Sequence, residues 1–173
     1  MSNEWFEVID AQGHVIGRAL RHVCHGHPGL THRAVHVVVV NRNGEIFLQK
    51  RSMHKDVQPG KWDTSVGGHL QPGESAIDGA RRELREELGV GSAELSPAYE
   101  YFWRSKLETE RISAFILRHE GPFQLDPHEI SDGRFWTVGE IDRNLSGDLF
   151  TEQFTHEFPR MSAFLRQAGL RHG

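Results

Sequence analysis

Between Gly68 and Val90 the chain reads GHLQPGESAIDGARRELREELGV, which sets Gly68, Glu74, Arg82, Glu83, Glu86, Glu87 and Gly89 at fixed intervals. As a pattern this is G-x5-E-x7-R-E-U-x-E-E-x-G-U, with Leu84 and Val90 filling the aliphatic positions U. At residue frequencies of ~5–8 %, a chance match is on the order of one in ten million. The chemistry lies in the carboxylates. Glu83, Glu86 and Glu87 stand at i, i+3 and i+4, so on a helix they crowd one stripe. Like charges that close repel unless a cation sits among them. An oxygen-only set suits a hard divalent ion, Mg2+ or Mn2+, held jointly by carboxylates and substrate phosphates.

A helix is what must position them. Pro72-Gly73 is turn chemistry, and Ser75 can cap a helix start with Asp78 as a weak capping-box partner. Ile77, Ala80, Leu84 and Leu88 recur at helical spacing, and Gly89 supplies the stop. The apolar stripe packs on a core and the glutamates border it. The competing reading is a solvated face laced to Arg81, Arg82 and Arg85; the glycine-bearing turn and the complete spacing favour a site. Arg82 precedes Glu86 by four residues, the weaker orientation for such a pair, and is read as orienting a carboxylate.

A chain of 173 residues with 37 % hydrophobic content is long enough for one domain with a sizeable core. A net charge of −4 gives no general attraction to nucleic acid or an anionic membrane. The N-terminal MSNEWFEVID lacks the apolar stretch of a signal peptide, and the longest apolar run, Val37–Val40, is too short to span a bilayer. The one cysteine, Cys24, excludes an internal disulfide and fits a reducing cytoplasm.

Strands are expected at Trp5–Ile9, His14–Leu20, Ala34–Val40 and Glu45–Lys50, the last pair joined by an Asn43-Gly44 turn. Further strands are expected at Trp62–Val66, Ala93–Arg104 and Arg111–Arg118, with another ending at Phe135-Trp136. His22–Thr31, Arg51–Lys61 and the charged Ser105–Glu110 read as loops. Val138–Asn144 and Glu152–Gln167 read as helices, the second interrupted at Pro159. On the strand carrying Tyr99, Tyr101, Phe102 and Trp103, alternation buries two of the four and leaves the others as a candidate stacking face.

The Gly68–Val90 segment resembles the Nudix box, complete at every specified position. The resemblance implies an α/β (α+β) fold, an α/β/α sandwich around a mixed β-sheet, with the box forming a loop–helix–loop in a single domain over residues 1–173. It implies water attack on a diphosphate linkage of a nucleoside-diphosphate-type or related small molecule. Glu83, Glu86 and Glu87 would bind divalent metal together with a backbone carbonyl near Gly67 or Gly68. One of these glutamates, or another nearby such as Glu129, would be the general base. A homodimer is left open, and the box specifies no substrate.

A narrower resemblance, to isopentenyl-diphosphate isomerase and its Nudix relatives, rests on several short pieces. These are Cys24-His25, Thr31-His32-Arg33-Ala34, Gln49-Lys50-Arg51-Ser52, Lys55, Pro59-Gly60-Lys61-Trp62, Gly68-His69 and Glu108-Thr109-Glu110. It implies a second metal site at His25, His32, His69, Glu108 and Glu110, a ligand mixture suited to Mn2+, Mg2+ or Zn2+. It also implies a grip on diphosphate by Arg21, Arg51 and Lys55. Against these stand plain loop histidines, a solvated acidic turn and surface cations. The departure is at residue 67, where the isomerase carries a catalytic cysteine and this chain has Gly67. Glycine has no proton to give, so hydrolysis is expected over isomerisation. A non-catalytic ligand sensor, the third reading, fits poorly with an intact box.

Overall fold

The computed structural model describes residues 4–170. In chain order the elements are β1 (Trp5–Ile9), β2 (Val15–Leu20), α1 (Arg21–Cys24), β3 (Thr31–Val40), β4 (Ile46–Arg51), β5 (Trp62–Asp63) and β6 (Val66–His69). Then follow α2 (Ala76–Leu88), β7 (Ser96–Arg104), β8 (Thr109–Arg118), β9 (Ile130–Trp136), α3 (Val138–Asn144) and α4 (Glu152–Gln167). The strands form one mixed sheet: β3 runs parallel to β8 and antiparallel to β1, β4 and β6. No helix among the described residues is long and apolar enough to cross a membrane.

β3 is the spine, buried throughout Ala34–Val40 because helices cover both its faces. Val35, Val37 and Val39 point one way and share a core with Ala80, Leu84 and Leu88 of α2. Val38 and Val40 point the other way, into a core with Phe154, Phe158, Met161 and Leu165 of α4. That is the expected α/β/α sandwich.

The sheet is split where β3 and β4 diverge. Their register contains Val40↔Ile46, after which β6 lengthens the β3 arm and β5 the β4 arm. Ser65, in the link between β5 and β6, stands in the fork. Its Oγ accepts from the Val39 N–H at 2.8 Å and donates to the Phe47 carbonyl at 2.5 Å. The hydroxyl thus bridges two strands whose backbones no longer reach each other.

The structure departs from the expected elements in several places. Thr31 and His32 already belong to β3, and Glu110 belongs to β8, where parallel pairing sets it opposite His32. The expected charged turn therefore ends earlier. The expected strand Trp62–Val66 is two short strands, because Thr64 and Ser65 cross the fork. Arg21–Cys24 forms a helical turn that runs into the start of the expected loop His22–Thr31, anchored by Cys24 packing against Phe6 and Val8. The strand expected from Ala93 starts at Ser96. Pro159 does not interrupt α4. An internal proline costs ~3 kcal/mol, whereas burial of Phe154, Phe158, Met161 and Leu165 on both sides of it contributes ~1.5–3 kcal/mol each. Tertiary packing outweighs the local defect.

Replacing Ser65 with alanine would leave a buried N–H and a buried carbonyl without their shared partner. Ser65→Ala is expected to lower the unfolding free energy by about 1–3 kcal/mol in urea melts. A change below about 0.5 kcal/mol would mean that β3 and β4 close and repair the ladder unaided.

Candidate active site

The fork opens into a cleft of about 1190 Å3. Its walls come from both arms of the sheet, from the loop after β4, from α2 and from the β7–β8 hairpin. The helix α2 delivers the carboxylates as its local sequence dictates. Ser75 accepts from the Asp78 N–H at 3.2 Å and donates to the Asp78 carboxylate at 2.6 Å, fixing the start. Gly89, at φ +70, closes the end with its N–H on the Arg85 carbonyl.

The three glutamates sit at graded depth. Glu86 is exposed, Glu83 is half-buried, and Glu87 is buried at 5 % exposure. Arg82 ties the group together. It donates to Glu74 at 2.9 Å, to Glu83 at 2.6 Å, to Glu86 at 3.2 Å and to the His69 carbonyl at 2.9 Å. Glu74 in turn accepts from the Gln71 N–H, locking the loop over the helix start. Arg82, expected to orient a carboxylate, thus contacts three of them. Glu87 is different, for its hydrogen-bond donor is the neutral amide of Gln49 at 2.9 Å. Burial, with Glu83 nearby, pushes the Glu87 carboxyl up to about 8. Burial also raises Glu83 in spite of Arg82. A carboxylate cluster held against its own ionisation is one that a cation would stabilise.

Gly68 makes the close approach that puts β6 over this cluster. A Cβ there would fall 2.1 Å from the Glu83 carboxyl carbon. Gly79 does the same for helix packing, since a Cβ there would meet Leu70 at 2.2 Å.

The His/Glu group gathers on the opposite face of the sheet, beside the same strand β6. His25 Nε2 lies 3.1 Å and His32 Nε2 3.5 Å from one oxygen of Glu108. His69 Nε2 lies 2.9 Å and His32 Nε2 3.6 Å from one oxygen of Glu110. Donor atoms of His25, His32, His69 and Glu108 all fall within 4.8 Å of one another. Buried His25 Nε2, His32 Nε2 and the Glu108 oxygen nevertheless make no hydrogen bond. They sit at ion-pair distance without hydrogen-bond geometry, and buried polar atoms so placed call for an ion or a water. Phe6 stacks on His32 and His69 at 4.9 and 4.4 Å and so sets their ring planes. Burial pulls His25 down to about 4 despite Glu108. In His32 burial works the same way, but Glu108 and Glu110 overcome it and raise the ring to about 9. The other Glu110 oxygen accepts from Gln153 at 2.6 Å. The donor set thus fits a divalent metal.

The cations Arg21, Arg51 and Lys55 all line the cleft, yet each is engaged by a carboxylate. Arg21 pairs with Glu4 at 2.9 Å, Arg51 with Asp63 at 3.2 Å, and Lys55 with Glu129. Of the aromatic strand residues Tyr101 is buried, and Trp103 borders the cleft. Sequence reasoning missed Gln49, Asp63, Ser65, His36 and Glu157 as members of this region. Two of them left a signal. His36 is the one ionisable residue within the apolar run Ala34–Val40, and Glu157 falls on the buried stripe of α4 beside Phe154, Phe158 and Met161.

Residues 30–158 match the NUDIX domain family, and the chain belongs to the Nudix hydrolase family. An uncharacterized Nudix hydrolase of Yersinia pestis is 35% identical over 137 residues, covering 79% of this chain and 74% of that protein. An isopentenyl-diphosphate Delta-isomerase of Streptomyces avermitilis is 32% identical over 154 residues, 86% of this chain and 78% of the isomerase. Among solved structures, the Deinococcus radiodurans protein DR0079 superposes with a TM-score of 0.80 at 25% identity, covering 91% of this chain and 98% of that one.

The close approach at Gly68 gives a direct test. Gly68→Ala forces the flexible Glu83 side chain away from Arg82 while leaving the backbone in place. Mn2+ affinity, followed by the spin-resonance signal of the free ion, is expected to fall tenfold or more. The melting temperature should move by no more than about 2–4 °C, the shift that 1 kcal/mol produces in a domain of this size. Unchanged Mn2+ affinity would remove Glu83 from the metal site.

Proposed function

We propose that this Nudix protein is a divalent-metal-dependent pyrophosphohydrolase that cleaves a diphosphate linkage in a nucleoside-diphosphate-type or related small molecule. The observation that carries the reading is Glu87, a buried carboxylate near Glu83 with a neutral amide as its donor, lining the cleft. Glu83, Glu86 and Glu87, with the backbone at Gly67 or Gly68, would hold Mg2+ or Mn2+. When bound, the ion neutralises phosphate oxygens and makes water a better nucleophile. The chain's own residues do the rest. Arg82 fixes Glu83 and Glu86 in place, and Glu87, or Glu129 across the cleft, takes the proton from the attacking water. Arg21, Arg51 and Lys55 exchange their carboxylate partners for the oxygens of the diphosphate.

The assembled His25, His32, His69, Glu108 and Glu110 group, together with the isomerase-named relative, favours isoprenoid diphosphate isomerisation as the second reading. Gly67 stands against it, because no acid occupies the position from which the isomerase cysteine would act.

Glu87→Gln is expected to slow release of phosphate or pyrophosphate from any cleaved substrate by about 10²–10⁴-fold, measured with Mg2+ or Mn2+ present. Unchanged turnover would exclude the site assignment. Metal titration should resolve two classes of site, and His32→Ala should remove one of them while the class that depends on Glu83 persists. A direct assay for interconversion of the two five-carbon isoprenoid diphosphates is expected to show no product; conversion would establish the second reading.

A further inference from the structure

His36 belongs to neither ligand cluster. It sits on β3 between Ala34 and Val38, on the face that α4 covers, at 5 % exposure. Its Nδ1 lies 2.7 Å from an oxygen of Glu157, a carboxylate fully buried in α4. The other Glu157 oxygen accepts from the Tyr99 hydroxyl at 2.9 Å, and the Tyr101 hydroxyl stands 3.5 Å from the same Nδ1. One edge of the imidazole is therefore saturated by the interior.

The opposite edge is open. His36 pairs in register with Gly67 of β6, and both border the cleft. A Cβ on Gly67 would stand 3.1 Å from the His36 Cδ2 and 3.2 Å from Nε2. Any longer side chain there would cover the ring, so glycine at this position leaves Nε2 in reach of the cleft. Among the described residues Nε2 has no hydrogen-bonding partner.

We propose that His36 is a substrate-contacting residue: its Nε2–H donates to an anionic oxygen of the diphosphate compound at the cleft floor, Glu157 positions the ring, and Gly67 provides the opening. The inference rests on the reading of the cleft as a diphosphate site and adds a specificity contact to it.

The groups facing His36 fix the sign of its charge. Glu157 comes from α4, Tyr99 and Tyr101 from β7, Asp63 from β5 and Glu110 from β8. Asp63 is already engaged by Arg51 and Thr151, and Glu110 by His69 and Gln153. A buried carboxylate 2.7 Å from Nδ1, itself holding the Tyr99 hydroxyl, favours the imidazolium over the neutral ring. Both ring nitrogens then carry hydrogen. Nδ1–H goes to Glu157, leaving a charge-assisted donor at Nε2 with no acceptor among the described residues. A histidine serving packing alone would have both edges sealed.

The test is ring NMR of histidine-labelled protein titrated with inorganic pyrophosphate, with and without Mg2+. The His36 ring resonances are expected to shift and saturate. Gly67→Ala, which sets a methyl 3.1 Å from the ring and covers its edge, should abolish that shift and weaken pyrophosphate binding about tenfold, the scale of one lost charge-assisted bond. His36→Gln, whose amide can still bond Glu157, should weaken binding equally. Glu157→Gln keeps the acceptor but removes the charge that favours the imidazolium, and should weaken pyrophosphate binding, which a pair serving packing alone would not do. An unmoved His36 resonance at saturating pyrophosphate overturns the proposal, as does wild-type affinity in both Gly67→Ala and His36→Gln. The two readings fail separately. If pyrophosphate moves the ring while no diphosphate compound is hydrolysed, the contact stands and the hydrolase reading falls. If hydrolysis proceeds with the ring unmoved, the reverse holds.

Discussion

The whole site depends on one hydroxyl between two strands. A sheet whose central strands stay paired has no room for a ligand among them, because the ladder spacing is only ~4.8 Å. Here Ser65 takes the Val39 N–H and gives its own hydrogen to the Phe47 carbonyl, so β3 and β4 separate without orphaning buried backbone groups. Everything that lines the cleft follows from that separation. β5 and β6 extend the two arms, and the loop carrying Lys55 and the α2 helix face each other across the opening.

Charge is distributed around this fork in a consistent way. The box glutamates lie on the α2 face and the His/Glu group on the α4 face, and β6 separates them by the alternation of its side chains. Gly68 turns toward Glu83, whereas Gly67 and His69 turn toward His36 and the histidine cluster. Two adjacent glycines thus let the backbone come close to both groups. Arg21, Arg51 and Lys55 are each paired with a carboxylate, which holds these long side chains in place at the edge of the cleft. On the proposed reading, exchange of a carboxylate for a phosphate there would require little further ordering.

What was legible in the sequence is what depends on neighbours within a helical turn or a strand repeat. The α2 cap, its stop at Gly89 and the stripe of Glu83, Glu86 and Glu87 come from i, i+3 and i+4 relations, and all appear as expected. Depth was not legible. The spacing placed three glutamates at a border, but only Gln49, far away in the chain, makes Glu87 a buried group with a neutral donor. Glu110 was read as part of a turn because its strand is defined by parallel pairing with β3, a non-local relation. The proline in α4 misled for the same reason, since the packing that overrides it comes from the sheet. The His36–Glu157 pair joins residues 121 apart in sequence and could be anticipated only as two ionisable residues on apolar faces.

The same geometry bears on how one scaffold can carry two chemistries. The histidines and glutamates behind β6 are in place here, as are the cations of the cleft, and an isomerase-named relative aligns over most of the chain. By the family resemblance, the isomerase cysteine would stand at residue 67, where this chain has glycine. A side chain there would stand between the cleft and His36 and would itself face the ligand; glycine withdraws that group and exposes the imidazole behind it. Proton addition to carbon needs an acid at the floor, whereas phosphoanhydride cleavage needs only an oriented water, a carboxylate base and charge neutralisation. The α2 helix supplies carboxylates for the second task irrespective of residue 67. On the proposed reading, glycine at residue 67 would withhold the acid that isomerisation needs and leave the α2 carboxylates for hydrolysis, with the His36 edge open to the cleft.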